Sequence, residues 1–220
     1  MHYNVAYPPN TSDGVVASFF SQSALQIIQE PKDPSVHKPL SLTSCLNRKL
    51  RWVTLGGQYD WTQKVYPSTP PPAFPPDVSA LVSGLFPDMI PQAAIVNFYT
   101  PGDTLSLHRD VSEHCDSPLV SISLGCDGLF VAGLDDTSDG SDNSIVVRLR
   151  SGDAVVMSGP ARYAWHGVPQ ILPDTCPHWM QEWPASSSRG PSQSDDDEFE
   201  HWRGWMARKR INLNVRQMWG

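Results

Sequence analysis

Two segments in the N-terminal part of the chain space their apolar side chains as an amphipathic helix does. Residues 14–30 (GVVASFFSQSALQIIQE) and residues 77–90 (DVSALVSGLFPDMI) are each predicted to be a short helix, and the second is expected to end before Pro91. Residues 31–48, which lie between them, are predicted to be a loop. The pattern therefore predicts two helices before the main run of strands begins.

A β-prone stretch and then a proline-rich stretch separate the predicted helices. Residues 50–61 (LRWVTLGGQYDW) are aromatic and favour a strand, which Gly56 and Gly57 interrupt. Residues 67–76 (PSTPPPAFPP) are predicted to be an extended loop, because proline fixes φ and has no backbone N–H to donate.

From residue 91 onwards the pattern becomes one of short β-rich segments. Seven of them follow one another along the chain: AAIVNFYT, TLSLHRDV, LVSISLG, GLFVAG, SIVVRLR, DAVVMSG and RINLNVRQM. Turn residues such as Pro101-Gly102 and Ser151-Gly152-Asp153 separate them. This spacing predicts a mainly β fold of the α+β class, a sandwich or jelly roll with the two helices packed on one sheet.

The chain is long enough for one structural domain with a sizeable core, since it has 220 residues of which 40% are hydrophobic. We predict that residues 1–90 form an N-terminal extension packed on the core, and that residues 91–220 form the core itself. Within that core, residues 184–200 are polar and acidic and are expected to be a flexible insertion.

Charge and cysteine use narrow the classes of function. The net charge of −7 argues against a broad basic face for nucleic acid, while a local basic patch stays open. The four cysteines form no CxxC pair, which is typical of reduced thiols in an intracellular protein; nucleus, cytoplasm and mitochondrion are not distinguished. No apolar run approaches the ~18 residues of a membrane span, and no targeting signal is visible at the N-terminus.

A histidine and an aspartate share one side of a predicted strand. Side chains in a strand alternate, so His108 and Asp110 project together, and Leu105 and Leu107 are expected to be buried on the opposite face. With a second histidine this pair makes the 2-His-1-carboxylate set that suits non-haem Fe(II). Three downstream histidines are candidates for that ligand: His166, His178 and His201, of which His166 is favoured because it follows a strong strand. Taken alone, the HxD pair also fits a chance pairing.

The last predicted strand alternates strictly between polar and apolar side chains. Its polar positions are Arg210, Asn212, Asn214 and Arg216, with Ile211, Leu213 and Val215 between them. This face fits either an edge strand facing water or a cavity wall that grips an anion with two carboxylates, because arginine offers bidentate donors. Asn97 and Tyr99 share a face in the same way in IVNFYT.

The order of these motifs resembles the AlkB family of Fe(II)/2-oxoglutarate dioxygenases. The matching positions, in chain order, are Asn97 and Tyr99, His108 and Asp110, His166, and Arg210, Asn212 and Arg216. The resemblance covers about residues 50 to 218, and residues 50–61 resemble the eukaryotic homologue-1 branch of that family.

The resemblance implies a double-stranded β-helix that binds Fe(II), 2-oxoglutarate and O₂. It implies that His108, Asp110 and His166 hold the metal, and that Arg210 pairs with the distal carboxylate of 2-oxoglutarate. It further implies that the remaining matched positions hydrogen-bond the co-substrate. These positions are Asn97, Tyr99 and Asn212, with Arg216 near the metal end, beside the C1 carboxylate and Asp110.

The resemblance also implies a methylated base as substrate, either N6-methyladenine in DNA or 1-methyladenine in tRNA, with release of formaldehyde, succinate and CO₂. We expect an unpaired or single-stranded substrate and a monomeric enzyme.

A nucleotide-recognition lid would include Tyr59, Trp61 and Tyr66, with Arg51 near phosphates, whereas Trp52 is expected in the core. Ser112 stands where bacterial AlkB has an acidic base-reading residue, which argues against the bacterial repair specificity. The alternatives are a protein hydroxylase or demethylase on the same scaffold, and an idle module that binds modified nucleic acid.

Overall fold

The computed structural model of the chain describes residues 18–60, 70–111, 113, 115–134, 143–185 and 199–219. Several sequence predictions fall outside these ranges: Trp61, Tyr66, Ser112 and most of the acidic segment 184–200.

The described residues group into two compact units. One contains the described residues up to Arg51 together with those from Gln181 to Met206, and the other contains the rest. This division differs from the boundary expected near residue 90. The reason is that the strand Trp52–Gly56 pairs with the strand Ala93–Tyr99, and the helix Pro76–Leu85 packs on the same sheet.

The first unit holds a two-stranded sheet and a small aromatic cluster. Its elements are β1 (Ile27–Gln29), β2 (Leu40–Ser41), the helical turn α1 (Leu42–Ser44) and a π-helical turn, Cys45–Lys49. The Phe20 ring packs edge-on against three tryptophan rings, with centroid distances of 5.0 Å to Trp183, 5.6 Å to Trp202 and 5.3 Å to Trp205.

Two sequence predictions for this unit are wrong. Residues 14–30 do not form a helix over their described part, which holds one 3₁₀ turn at Phe19–Ser21 and then β1. The contacts of the Phe20 ring with the tryptophan rings outweigh the helix-like spacing of the apolar residues in this segment. Leu25, one of those apolar residues, is 81% exposed. The predicted loop 31–48 contains β2, α1 and most of the π-helical turn. Strand β2 forms because it pairs with β1. Helical turn α1 is capped by the Ser41 hydroxyl, which accepts a hydrogen bond from the Ser44 N–H.

The second unit is built from two antiparallel sheets. The larger has the strand order β3-β4-β11-β6-β9 and the smaller the order β5-β10-β7-β8. Their strands are β3 (Trp52–Gly56), β4 (Ala93–Tyr99), β5 (Leu105–His108), β6 (Leu119–Gly125), β7 (Gly128–Gly133), β8 (Ser144–Leu149), β9 (Ala154–Met157), β10 (Trp165–Ile171) and β11 (Arg210–Arg216). Both sheets contribute walls to one cavity, which is the jelly-roll arrangement that the strand pattern predicts.

One helix covers the larger sheet. Helix α2 (Pro76–Leu85) begins with a proline, whose missing N–H is harmless at this position, and ends before Pro87 rather than before Pro91. Val82 of α2 is fully buried and belongs to one apolar cluster with Ala94 and Val215 of the sheet. No helix among the described residues is both long enough and apolar enough to cross a membrane.

Among the described residues of this unit, strand β10 is the large element that the strand pattern does not predict. Its sequence WHGVPQI contains a glycine and a proline, which are uncommon inside strands. The pairing with β7 shifts register between Gly167 and Gln170, so Pro169 lies within an irregularity where its missing donor is tolerated. This strand carries His166 into the sheet, directly opposite His108 of β5.

Candidate active site

The polar face of β11 lines a cavity of about 570 Å³ between the two sheets. β11 pairs with β4 on one side and with β6 on the other, so it is a central strand. Arg210 is only 1% exposed. The alternating face therefore belongs to a cavity wall, and the alternative of an edge strand facing water is excluded.

Two histidines and an aspartate meet in this cavity. Asp110 lies 3.9 Å from each histidine, measured from Oδ1 to His108 Nε2 and from Oδ2 to His166 Nε2. One ligand atom from each of the three residues lies within 4.8 Å of the others. The favoured third member of the triad is thus brought to the HxD pair, while His178 and His201 are exposed and are not part of this cluster.

Main-chain carbonyls fix the orientation of both imidazole rings. His108 Nδ1 lies 2.9 Å from the Ser106 carbonyl oxygen, and His166 Nδ1 lies 3.1 Å from that of Ala164. A proton on each Nδ1 leaves Nε2 as the free lone pair facing the other ligands. Burial lowers the pKa of His166 below its ordinary value, which favours the neutral form that binds a metal.

The Asp110 carboxylate is held ionised and in place from one side. Burial alone raises the pKa of Asp110, but the positive charge of Arg216, together with the two histidines and a hydrogen bond from Asn214, brings it below its ordinary value. Arg216 donates to Asp110 Oδ2 over 2.8 Å, and Asn214 Nδ2 donates to the same oxygen over 3.4 Å. The three donor residues therefore fit a divalent ion, and two imidazoles with one carboxylate are the donor set that suits Fe(II).

Arg210 provides a buried cation in the same cavity. Its two terminal nitrogens donate to Ser123 Oγ over 2.8 Å and to the carbonyl oxygen of Cys126 over 3.2 Å. Among the described residues, neither Arg210 Nε nor the buried hydroxyl of Tyr99 has a hydrogen-bond partner. Burial raises the pKa of Tyr99 to about 12, so this hydroxyl keeps its proton and can donate it. Donors of this kind suit a carboxylate, which is the group expected here from 2-oxoglutarate.

The predicted asparagines lie on the same wall. Asn97 of β4 stands opposite Asn212 of β11, and both line the cavity. Asn212 Nδ2 donates to Ser121 Oγ over 2.7 Å, which orients its amide.

The predicted substrate residues are only partly visible. Tyr59 is half-buried and lines the cavity, and Trp52 lines it as well, 38% exposed, rather than lying in the core as expected. Trp52 opposes Asn97 across the β3–β4 pair, which places it on the cavity side. Arg51 is exposed and belongs to the first unit, so its phosphate contact stays a prediction.

The two leucines predicted to be buried on the strand face opposite His108 and Asp110 are more exposed than expected. Leu107 is 60% exposed, and Leu105 is only partly buried. Both leucines belong to β5, the end strand of the smaller sheet, and both are among the residues that line the cavity, so they are not packed into a closed core.

Some residues of the site were not recognised in the sequence as functional. Glu113 and Arg162 form a buried ion pair of 2.9 Å next to the metal triad, and the Phe130 ring lies 5.9 Å from that of His166. Arg162 precedes His166 by four positions, but a lone arginine in a turn carries no signal of burial in the sequence.

Comparisons with known proteins agree with this geometry. Residues 7–216 match the family model described as the 2OG-Fe(II) oxygenase superfamily. The N6-methyladenosine RNA demethylase ALKB1 of Pyricularia oryzae is 52% identical over 99% of this chain and 64% of its own length. The N6-methyladenosine RNA demethylase ALKBH of Cryphonectria parasitica is 50% identical over 99% of this chain and 98% of its own length. A solved structure described as "The structure of OsALKBH1" superposes with a TM-score of 0.56 at 26% identity, covering 76% of this chain and 77% of that one.

The matches and the cavity together define the class of protein. The chain belongs to the 2OG-Fe(II) oxygenase superfamily and, within its AlkB family, to the homologue-1 branch. It is accordingly a dioxygenase that uses Fe(II), 2-oxoglutarate and O₂, and its jelly-roll core confirms the predicted fold.

Proposed function

We propose that this chain oxidatively demethylates N-methylated adenine in nucleic acid, with N6-methyladenosine in RNA as its principal substrate. Support for RNA comes from two relatives at 52% and 50% identity that carry the name N6-methyladenosine RNA demethylase. The sequence resemblance also points to 1-methyladenine in tRNA and N6-methyladenine in DNA, and these two are the substrates to compare with it.

One observation carries the proposal: the His108, Asp110 and His166 cluster and the buried donors of Arg210 and Tyr99 line the same cavity. Fe(II), when bound, supplies the oxidation of a methyl group with O₂ and 2-oxoglutarate as co-substrates. The protein's part is to hold these groups and to keep bulk water away.

Each group of residues has a defined task in this proposal. His108, Asp110 and His166 hold the metal through two Nε2 atoms and one carboxylate. Arg210 and Tyr99 donate to the distal carboxylate of 2-oxoglutarate, and Asn97 and Asn212 line the cavity beside its polar atoms. Arg216 keeps Asp110 ionised and lies near the end of the co-substrate that faces the metal.

Two aromatic side chains are placed to receive the base. Trp52 and Tyr59 line the cavity and retain exposed surface, so an extruded adenine can stack against them. Stacking of this kind contributes about 1–3 kcal/mol per base, which offsets part of the cost of removing the base from its neighbours.

Mass spectrometry of nucleosides tests the substrate. The purified protein is incubated with Fe(II), ascorbate and 2-oxoglutarate, and with RNA containing N6-methyladenosine, tRNA containing 1-methyladenosine, or DNA containing N6-methyladenine. We expect the fastest conversion to the unmethylated nucleoside with the first substrate. No conversion of any of the three, by protein that turns 2-oxoglutarate over to succinate, would contradict demethylation of adenine.

A pair of tryptophan variants tests the aromatic contacts. Trp52→Ala is expected to lower nucleic-acid turnover about tenfold or more, with uncoupled 2-oxoglutarate decay unchanged. Trp179→Ala is the matched control, because Trp179 lies in the same unit, is 75% exposed and does not line the cavity. Equal rates for the two variants would remove Trp52 from the substrate site.

A further inference from the structure

Two charged side chains behind the metal triad are almost completely buried. The side chains of Glu113 and Arg162 are 1% and 2% exposed, and Arg162 NH2 lies 2.9 Å from Glu113 Oε2. Burial of a charge is costly unless the charge is paired and hydrogen-bonded, so a pair in this position requires an explanation beyond stability.

The Arg162 guanidinium makes three directed contacts, and each reaches the chain that follows His108. Besides Glu113, it donates to the Asp110 carbonyl oxygen through NH1 over 3.0 Å and to the Ser117 carbonyl oxygen through Nε over 2.9 Å. Arg162 itself lies four residues before His166, in the 3₁₀ turn Gly159–Tyr163. It therefore links the segment that carries one metal ligand to the segment that carries another.

Glu113 extends the link to the Asp110 side chain. Glu113 Oε1 lies 3.3 Å from Arg216 Nε, while Arg216 NH2 donates to Asp110 Oδ2 over 2.8 Å. The Arg216 guanidinium is thus shared by two carboxylates, one of which is a metal ligand. Two arginines and two carboxylates alternate in this network, so its formal charges balance.

We propose that Glu113 and Arg162 are positioning residues, which set the place and orientation of Asp110 and so determine the metal affinity of the site. Arg162 fixes the Asp110 main chain, and Glu113 holds Arg216 in the orientation that places Asp110 Oδ1 near His108 Nε2 and Oδ2 near His166 Nε2, each at 3.9 Å. The inference rests on the proposed role of Asp110 as a metal ligand. Groups that orient metal ligands in this manner change metal affinity by about 10- to 100-fold when they are removed.

Co(II) titration followed by visible absorption tests this role apart from catalysis, with the melting temperature measured in parallel. Glu113→Gln and Arg162→Lys are each expected to raise the Co(II) dissociation constant about 10- to 100-fold and to change the visible spectrum. Arg162→Lys keeps the positive charge, so the test can be made with this variant if Glu113→Gln does not fold. Arg148→Met is the matched control, because it removes a guanidinium from another buried carboxylate, Asp127, in the same unit.

The double variant separates positioning from stability. Glu113→Gln combined with Arg162→Met leaves neither charge buried alone, so its melting temperature should recover part of the loss, whereas its Co(II) affinity should stay low. The proposal is overturned if Co(II) affinity follows the melting temperature across this series, including Arg148→Met. Asp110→Ala tests the metal site separately from the positioning role of Glu113 and Arg162. Wild-type Co(II) affinity in this variant would overturn both the metal site and the positioning role. Weakened binding in Asp110→Ala, with unchanged binding in Glu113→Gln and Arg162→Lys, overturns the positioning role alone.

Discussion

Arg210 owes its proposed role to the planar fork of its guanidinium as well as to its charge. Arg210→Lys keeps the charge but loses the second donor, and we expect the KM for 2-oxoglutarate to rise by about one to two decades, since a charge-assisted hydrogen bond contributes ~1.5–3 kcal/mol. Steady-state succinate formation measures the change. Arg150→Lys, at an exposed position in the same unit, is the control. An unchanged KM in Arg210→Lys would remove this residue from the co-substrate site.

Gly128 makes room for Arg210, and its replacement gives a second prediction at the scale of a residue. A Cβ at position 128 would lie 2.9 Å from Arg210 Nε and 3.0 Å from its Cζ, so the guanidinium must move. We expect Gly128→Ala to raise the KM for 2-oxoglutarate about tenfold or more, because small displacements of a binding group are costly.

Gly84→Ala is the control for Gly128→Ala, since no heavy atom lies within 4 Å of the added methyl group. Gly84 is exposed in α2, where alanine is expected to stabilise the fold by about 0.5–1 kcal/mol. A Gly128→Ala variant with wild-type KM and a normal melting temperature would show that Arg210 relaxes without loss of binding.

The sequence indicates the role of some single residues but not of others. The alternation from Arg210 to Arg216 indicates that these side chains share a face, because the period of a strand is two. It does not show whether that face meets water or a cavity, which depends on the pairing of β11 with β4 and β6. Gly128 has no sequence signal at all, because its importance lies in a contact with a residue far along the chain.

At the scale of elements, the approach of β10 to β5 brings the two histidines together. A Cβ at position 167 would lie 2.8 Å from the Leu105 carbonyl oxygen, so only glycine allows this approach. We expect Gly167→Ala to cost about 1–3 kcal/mol in the free energy of unfolding and to weaken Co(II) binding about tenfold. Thermal unfolding and Co(II) titration measure the two effects, with Gly84→Ala again as control. Wild-type metal affinity would mean that β5 and β10 can separate without disturbing the triad.

The elements that the sequence predicts are those whose local pattern agrees with their tertiary environment. Strands β4, β6 and β11 are continuous and regular, and α2 has a proline at its first position and another beyond its end. Strand β10 was missed because Gly167 and Pro169 interrupt its pattern, although both are tolerated at a register shift. The helix predicted over residues 14–30 fails because contacts of Phe20 with distant tryptophans override the local period.

At the scale of the whole molecule, net charge bears on which substrates are favoured. A charge of −7 leaves little general attraction to phosphates, and extruding a base from a paired strand costs a few kcal/mol. We therefore expect faster demethylation of N6-methyladenosine in a single strand, bubble or loop than in a matched duplex. Rates on one modified strand, alone and annealed to its complement at fixed salt, measure this preference. Equal or faster rates on the duplex would contradict it.

The central claim is that the cavity holds Fe(II) through His108, Asp110 and His166 and uses it to remove methyl groups from adenine in nucleic acid. The most direct measurement is a single experiment on RNA containing N6-methyladenosine, comparing the wild-type protein with His166→Ala. Adenosine, formaldehyde and succinate are quantified together, and the melting temperature and Co(II) affinity are measured on the same samples. The account predicts equal amounts of adenosine and formaldehyde from the wild-type protein, with at least as much succinate, and none of the three above background from a folded His166→Ala with weakened Co(II) binding. Adenosine formation at the wild-type rate by folded His166→Ala would contradict it.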